Sequence, residues 1–100
     1  MGVNMKMIQQ MQTRLEKMQR ELADTVVEGS AGGGVVTARV TGAREFHGIS
    51  IDPSAVDPED VEVLEDLITV AVQDAMNRAN TLAEEKMGAV TGGLSIPGLM

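Results

Sequence analysis

The sequence predicts an α+β protomer in which one helix, three antiparallel strands and a second long helix follow in that order. Apolar residues recur at helical spacing near the amino end. In the middle, β-branched residues alternate with polar ones between glycine-rich turns. A long segment after Pro58 then continues without a breaker to about Lys86 or Val90. One hundred residues allow a single domain, which we place at 1–90, followed by a flexible glycine-rich tail at 91–100.

The first element is predicted to be an amphipathic helix over residues 3–25. Its apolar positions alternate by three and four residues, as in a two-helix seam: Ile8, Met11, Leu15, Met18 and Leu22. At 100° per residue, Lys6, Lys17 and Arg20 fall opposite that stripe, and Arg14 lies on its flank. The helix therefore has one apolar face and one basic face.

Three strands are predicted next, in the segments 26–30, 35–41 and 45–52, and together they form a three-stranded antiparallel meander. In the middle strand Val36, Ala38 and Val40 alternate with polar residues and mark the buried face. Ile49 and Ile51 point inward in the third strand. Phe46 is out of phase with them, and we expect a β-bulge at Gly48 to correct this.

The second helix is predicted to begin with Asp57 as its N-cap and Pro58 at its first position. Thirty helical residues are about 45 Å long, whereas a compact domain of this size is about 26 Å across. The helix must therefore protrude beside the first helix or be covered by a second chain. Because Phe46 is the only aromatic residue, we also expect a thin core and a homodimer that shares part of it. The predicted interface residues are Val36, Ala38, Val40, Leu64, Ile68, Ala71 and Ala75.

Composition argues against catalysis and cofactors. The chain has no Cys, and His47 is its only His, with no nucleophile arrangement nearby. The acidic residues after Asp52 lack metal-ligand spacing, and the Gly32–Gly34 run is not followed by the Lys-Ser/Thr of a phosphate loop. We therefore expect no enzyme, cofactor, metal or small-molecule substrate.

We find no apolar run of membrane-spanning length and no export signal, and expect a cytoplasmic protein with no membrane partner.

The net charge of −7 disfavours nucleic acid as a partner only when it is averaged over the chain. Residues 1–44 hold six bases against four acids, while residues 45–100 hold two bases against eleven acids. The basic helix face of Lys6, Arg14, Lys17 and Arg20 is doubled in a dimer, and Arg39 and Arg44 can extend it. Since no aromatic residues interleave with these bases, duplex backbone contact is favoured over base stacking.

The chain also resembles the YbaB/EbfC family of nucleoid-associated proteins. The resemblance rests on Met-Gln pairs in the first helix, on residues 27–36 (VEGSAGGGVV), on 51–54 (IDPS), on 64–68 (LEDLI) and on the Gly-Gly-Leu of the tail. It implies an α-β-β-β-α protomer and a tweezer-like homodimer that binds double-stranded DNA with low sequence specificity. It also implies a place in the nucleoid and effects on nucleoid organisation and gene expression. By this resemblance the DNA contacts would be Lys6, Arg14, Lys17, Arg20, Arg78 and Lys86.

A second hypothesis remains open. The chain could be a dimeric interaction scaffold whose arms bind a helical or acidic protein partner. Such binding would depend on Met5, Met7 or the apolar residues of Leu94–Leu99, and it would tolerate moderate salt.

Overall fold

The structure, a computed structural model, describes residues 4–91 of the chain, and side chains up to Ala89. It confirms the α-β-β-β-α order. The elements are α1 (Met5–Asp24), β1 (Val26–Ala31), β2 (Val36–Thr41), β3 (Phe46–Ile51) and α2 (Val61–Thr91). Short 3₁₀ turns at Gly32–Gly34 and Pro53–Ala55 follow β1 and β3. Most of the expected tail, residues 92–100, lies outside the described residues, as do residues 1–3.

Helix α1 begins slightly later than the sequence pattern predicts because Asn4 caps it. The Asn4 side chain accepts a hydrogen bond from the Met7 N–H at 2.7 Å, which satisfies one free donor of the first turn. Met18 and Leu22 of the predicted seam are buried. Ile8 and Met11 remain exposed in the protomer, because only the carboxyl half of α1 packs against α2.

The sheet has the order β1-β2-β3 with antiparallel neighbours, so the predicted meander is confirmed. The bulge is confirmed as well. Arg39 lies opposite Gly48 while Val40 lies opposite Phe46, which leaves His47 as the extra residue. Gly48 has a φ of 156°, a conformation that residues with a Cβ rarely adopt. The bulge places Phe46 on the same face as Ile49 and Ile51.

The start of α2 was predicted wrongly. The Asp57 carboxylate accepts the Glu59 N–H at 3.0 Å, and the Asp57 carbonyl accepts the Asp60 N–H at 2.9 Å. These bonds close a tight turn over residues 57–60, so Asp57 caps that turn and the helix begins at Val61. Asp52 caps a turn in the same way, since its carboxylate accepts the Ser54 N–H at 2.9 Å. This hydrogen bond lowers the pKa of the Asp52 carboxyl group.

The core is as thin as the composition predicts. Helix α2 crosses one face of β1 and β2, and Ala71, Ala75 and Ala79 of α2 are fully buried there. The largest fully buried side chains are Val36 and Val40. Past the sheet, α2 continues beside α1, which gives the molecule extents of 69 × 28 × 16 Å.

Strand β3 is left largely uncovered by α2. Ile49 is half-buried, but Phe46 is 60% exposed and Ile51 is 37% exposed, although both lie on the face that α2 covers elsewhere. The expected inward orientation of the two isoleucines therefore holds for the face they occupy, while their burial in the protomer is incomplete.

The structure places the seven residues expected at a dimer interface in or against the protomer's own core. Val36, Ala38, Val40, Ala71 and Ala75 are at most 1% exposed, so their side chains have no surface left for a second chain. Leu64 and Ile68 are half-buried and pack against the same cluster. The alternation identified buried positions correctly, but a single protomer already buries them.

Candidate nucleic-acid interface

Four bases of α1 form an exposed surface, here called the α1 basic face: Lys6, Arg14, Lys17 and Arg20. Good helix formers and the Asn4 cap keep these residues on a regular helix. Burial of Met18 and Leu22 fixes the rotation of α1 about its axis, so the four bases face solvent. Within residues 4–91 none of the four side chains makes an ion pair. Their charge is therefore available to a ligand.

The two bases of the sheet region are already engaged by neighbours. The Arg39 guanidinium donates to the Ser50 hydroxyl at 3.1 Å and lies 4.0 Å from the Glu28 carboxylate. Arg44, which has a φ of 68° in the turn between β2 and β3, donates to the Asn80 side-chain oxygen at 3.2 Å.

The two bases of α2 are engaged by acids. Arg78 lies 3.3 Å from Asp74, one helical turn earlier, a spacing from which the sequence could have indicated the pair. Lys86 Nζ lies 3.1 Å from Glu21 Oε2 of α1. No sequence pattern indicates this second pair, because 65 residues separate the partners.

Three of the expected contact residues come together in one cleft between α1 and α2, here called the arm cleft. Its volume is about 250 Å³, and it is lined by Arg14, Lys17, Met18, Glu21, Lys86 and Ala89. A second, open groove on α1 lies next to Lys6 and Arg14 and is otherwise lined by Gln9, Gln10 and Thr13. Arg78 lines a different groove, at β1, with Val26, Val27 and Glu28.

Two acidic residues with a local role were missed in the sequence. Glu21 places one negative charge among the cations of the arm cleft. Asp74 accepts the Ser30 N–H of β1 at 3.1 Å while it pairs with Arg78. Only contacts between distant parts of the chain reveal the pairing of Glu21 with Lys86 and the hydrogen bond from Ser30 to Asp74.

In residues 4–91 no group of three or more His, Asp or Glu side chains is arranged to hold a metal ion. Neither α1 nor α2 is long and apolar enough to cross a membrane.

A three-stranded meander that carries two helices, with unpaired bases along one of them, defines a class of small α-β-β-β-α protein with a basic arm. Comparison with known proteins narrows the class. The family model described as the YbaB/EbfC DNA-binding family matches residues 1–94. The chain belongs to this family, which is a DNA-binding family and not an enzyme family.

Curated relatives agree over nearly the whole chain. A nucleoid-associated protein of Chloroflexus aurantiacus is 54% identical over 90 residues, which is 90% of each chain. One of Alkaliphilus metalliredigens is 52% identical over 95% of this chain and 83% of its own. One of Saccharopolyspora erythraea is 49% identical over 95% of this chain and 90% of its own.

A solved structure supports the fold alone. The crystal structure of an uncharacterized protein of Helicobacter pylori matches with a TM-score of 0.62 at 21% identity. The match covers 85% of this chain and 95% of that chain.

Proposed function

We propose that this protein is a homodimeric nucleoid-associated protein of the bacterial cytoplasm. It holds double-stranded DNA with low sequence specificity through phosphate contacts from the α1 basic face of each protomer. By this binding it affects nucleoid organisation and gene expression. The single observation that carries the proposal is the exposed, unpaired state of the four α1 bases, in a chain whose relatives are named nucleoid-associated proteins.

The electrostatic argument concerns local potential, because phosphate responds to the charge it meets at close range and salt screens more distant charge. The acids of α2 reduce the total attraction, but those from Glu59 to Asp66 lie near the start of that helix. The α1 basic face lies beside the end of α2, near Lys86, which is 20 residues or about 30 Å along the helix axis from Asp66. Glu84 and Glu85, next to Lys86, offset part of the charge of the face, so the proposal depends on its four unpaired bases meeting phosphate at short range.

The geometry of α1 favours duplex DNA and weak sequence reading. Lys6 and Arg20 are 14 residues apart, which is about 21 Å along the helix axis and equals about six base-pair steps. Long flexible cations along that distance can follow one phosphate backbone. The chain has no Trp or Tyr on which unpaired bases could stack.

The surface around β3 favours a second copy of the chain as the dimer partner. The Asp52 N–H donates to the Val35 carbonyl at 2.7 Å, and the alternation of an antiparallel ladder then points the amide groups of Ile49 and Ile51 to the open edge. This edge adjoins the exposed Phe46. A second β3 paired there would form one six-stranded sheet.

Side chains of α2 continue this apolar surface. Because Asp74 contacts β1, Val72 and Met76, two residues to either side, lie on the opposite flank of the helix, toward β3. Both are half-buried against the core. The opposite edge of the sheet is less available, since Asp74 already occupies the Ser30 N–H of β1.

The test is a salt-titrated duplex-binding assay on protein of measured oligomeric state. If a dimer neutralises four to eight phosphates, log K against log salt should have a slope of about −4 to −7. A slope near zero, or no binding at about 50 mM salt, would contradict the proposal, as would equal affinity for an unstructured single strand.

A matched pair of variants identifies the binding face. The variant K17Q/R20Q should lower duplex affinity and reduce the salt slope by about 2 to 4, at about 0.9 per lost phosphate contact and one or two protomers engaged. The control R39Q/R44Q removes the same charge from bases that already have partners, and its slope should change less. Equal loss in both variants would show that total charge and not the α1 basic face controls binding.

The scaffold hypothesis keeps one specific support, the exposure of Met5 and Met7 at 68% and 58% on the amino end of α1. Its other expected contacts, in Leu94–Leu99, lie outside the described residues. The variant M5Q/M7Q should retain duplex binding under the main proposal and should lose a protein partner under this alternative.

A further inference from the structure

The arm cleft holds an anion of the protein itself at the position where a ligand phosphate would meet the most cations. Arg14 and Lys17 of α1 and Lys86 of α2 line the cleft, and Glu21 is its one acidic lining residue. Glu21 Oε2 lies 3.1 Å from Lys86 Nζ. In the protein without DNA, the Glu21 carboxylate is therefore the ion-pair partner of Lys86.

This ion pair can exchange because neither partner is fixed by burial. The Lys86 side chain is 36% exposed and the Glu21 side chain is 43% exposed, so either can return to water at small cost. Lys86 is a point charge on a flexible stem and accepts phosphate in place of carboxylate without a precise geometry.

A phosphodiester group that enters the cleft meets cations from both helices. It can contact Lys86 on α2 and Arg14 or Lys17 on α1, and so it preserves a link between the helices when the Glu21 contact breaks. Two anions that approach Lys86 at close range repel each other. Phosphate and the Glu21 carboxylate therefore compete for Lys86.

We propose that the arm cleft is a phosphate subsite and that Glu21 competes with a DNA backbone phosphate for Lys86. Glu21 thereby lowers the affinity of the arms for duplex DNA and restricts stable binding to sites where the phosphate displaces it. The inference rests on the proposed function and adds to it an internal competitor.

The experiment compares E21Q with E16Q in the duplex-binding assay. Both variants remove one negative charge from α1, but Glu16 does not line the cleft. E21Q should lower Kd by about 1.5- to 5-fold per engaged cleft, the range of an exchangeable ion pair of this exposure. Its salt slope should become steeper by up to about 0.9 per cleft, while E16Q changes both quantities less.

The variant K86Q shows whether Lys86 carries the effect. It should weaken binding, and E21Q/K86Q should bind as K86Q does, because without Lys86 there is nothing to compete for. An E21Q no tighter than E16Q, or an equal gain from E21Q in the K86Q background, would overturn the inference. If wild-type protein shows no salt-dependent duplex binding, the proposed function itself fails, which is a separate result.

A measurement on unmodified protein protects the test against misfolded variants. Duplex DNA should slow the reaction of Lys86 with an amine-acetylating reagent, followed by peptide mass spectrometry, at salt concentrations where the complex forms. Unchanged reactivity of Lys86 in the complex would also overturn the inference.

Discussion

At the scale of single residues, one glycine determines how closely α2 approaches the sheet. A Cβ built on Gly29 of β1 would overlap the backbone nitrogen of Ala75 and lie 2.7 Å from its Cα. The row of Ala71, Ala75 and Ala79 is the matching surface on α2, where each side chain is fully buried. The small residues on both sides therefore serve helix–sheet packing inside one protomer.

Gly29→Ala should destabilise the protein by about 3 kcal/mol, the upper end for overpacking, because the overlapping atoms belong to backbone and cannot rotate away. For a domain of this size that loss lowers Tm by about 12–24 °C. The same substitution at Gly88 provides the control. Gly88 lies in helix α2, and a Cβ built there would meet nothing within 4 Å. Gly88→Ala should therefore leave Tm unchanged or raise it, because alanine favours a helix more than glycine does. Equal melting of Gly29→Ala and wild type would show that α2 does not approach the sheet this closely.

At the scale of elements, α1 combines a fixed half with an uncovered half. Met18 and Leu22 are buried, and the Leu22 side chain lies against Gly42. The residues from Asn4 to Arg14 are all exposed in the described protomer. A helix segment with no buried residue depends on the rest of its helix for stability, so we expect a gradient of protection along α1.

Amide hydrogen exchange measures this gradient. Amides from Gln9 to Arg14 should exchange faster than those from Met18 to Leu22, because opening the uncovered half breaks no core contact. Duplex DNA should slow the faster group, since the proposed phosphate contacts of Lys6 and Arg14 require that half to be helical. Uniform protection along α1, or no response to DNA, would contradict this view of the arm.

Comparison of the elements with the sequence shows what a pattern can determine. The order of helices and strands and the bulge at Gly48 could be predicted, because periodicity and glycine placement are local properties of the chain. Periodicity also marked Val36 and Ala71 as buried, but it could not tell whether their cover comes from the same chain or from a second one.

The candidate site, like the fold, could be predicted from the sequence only where it depends on local spacing. The four bases of the α1 basic face follow from helical spacing, which the sequence contains. Among the partners of the other four bases, only Asp74, the partner of Arg78, has a spacing that the sequence contains, since Glu21 meets Lys86, and Arg44 meets Asn80, only through folding. Asp57 likewise stands in a sequence typical of a helix N-cap. Its carboxylate instead caps a local turn, and the helix begins at Val61.

At the scale of the whole molecule, the protomer is extended and incompletely covered. Its Cα radius of gyration is 18.8 Å, against about 13 Å for a compact domain of this length. The long axis follows the two helices past the sheet, and the exposed apolar surface at β3 lies beside the core. A dimer through β3 would bury that surface and give the assembly two α1 basic faces, so oligomeric state and DNA affinity should change together.

Ile51→Lys tests this coupling. Ile51 is the last residue of β3 and lies on its exposed apolar face, so a charge there should convert the proposed dimer to a monomer, because the lysine must be desolvated without a partner for pairing to occur. The monomer presents one α1 basic face, so its salt slope should fall to about half that of wild type, despite the added positive charge.

Val26→Lys is the matched control, since Val26 is 41% exposed on the β1 edge, comparable with 37% for Ile51. It adds the same charge and should remain dimeric in sedimentation equilibrium. If Ile51→Lys stays dimeric, or becomes monomeric with an unchanged salt slope, the β3 contact and the affinity for DNA are not coupled in this way.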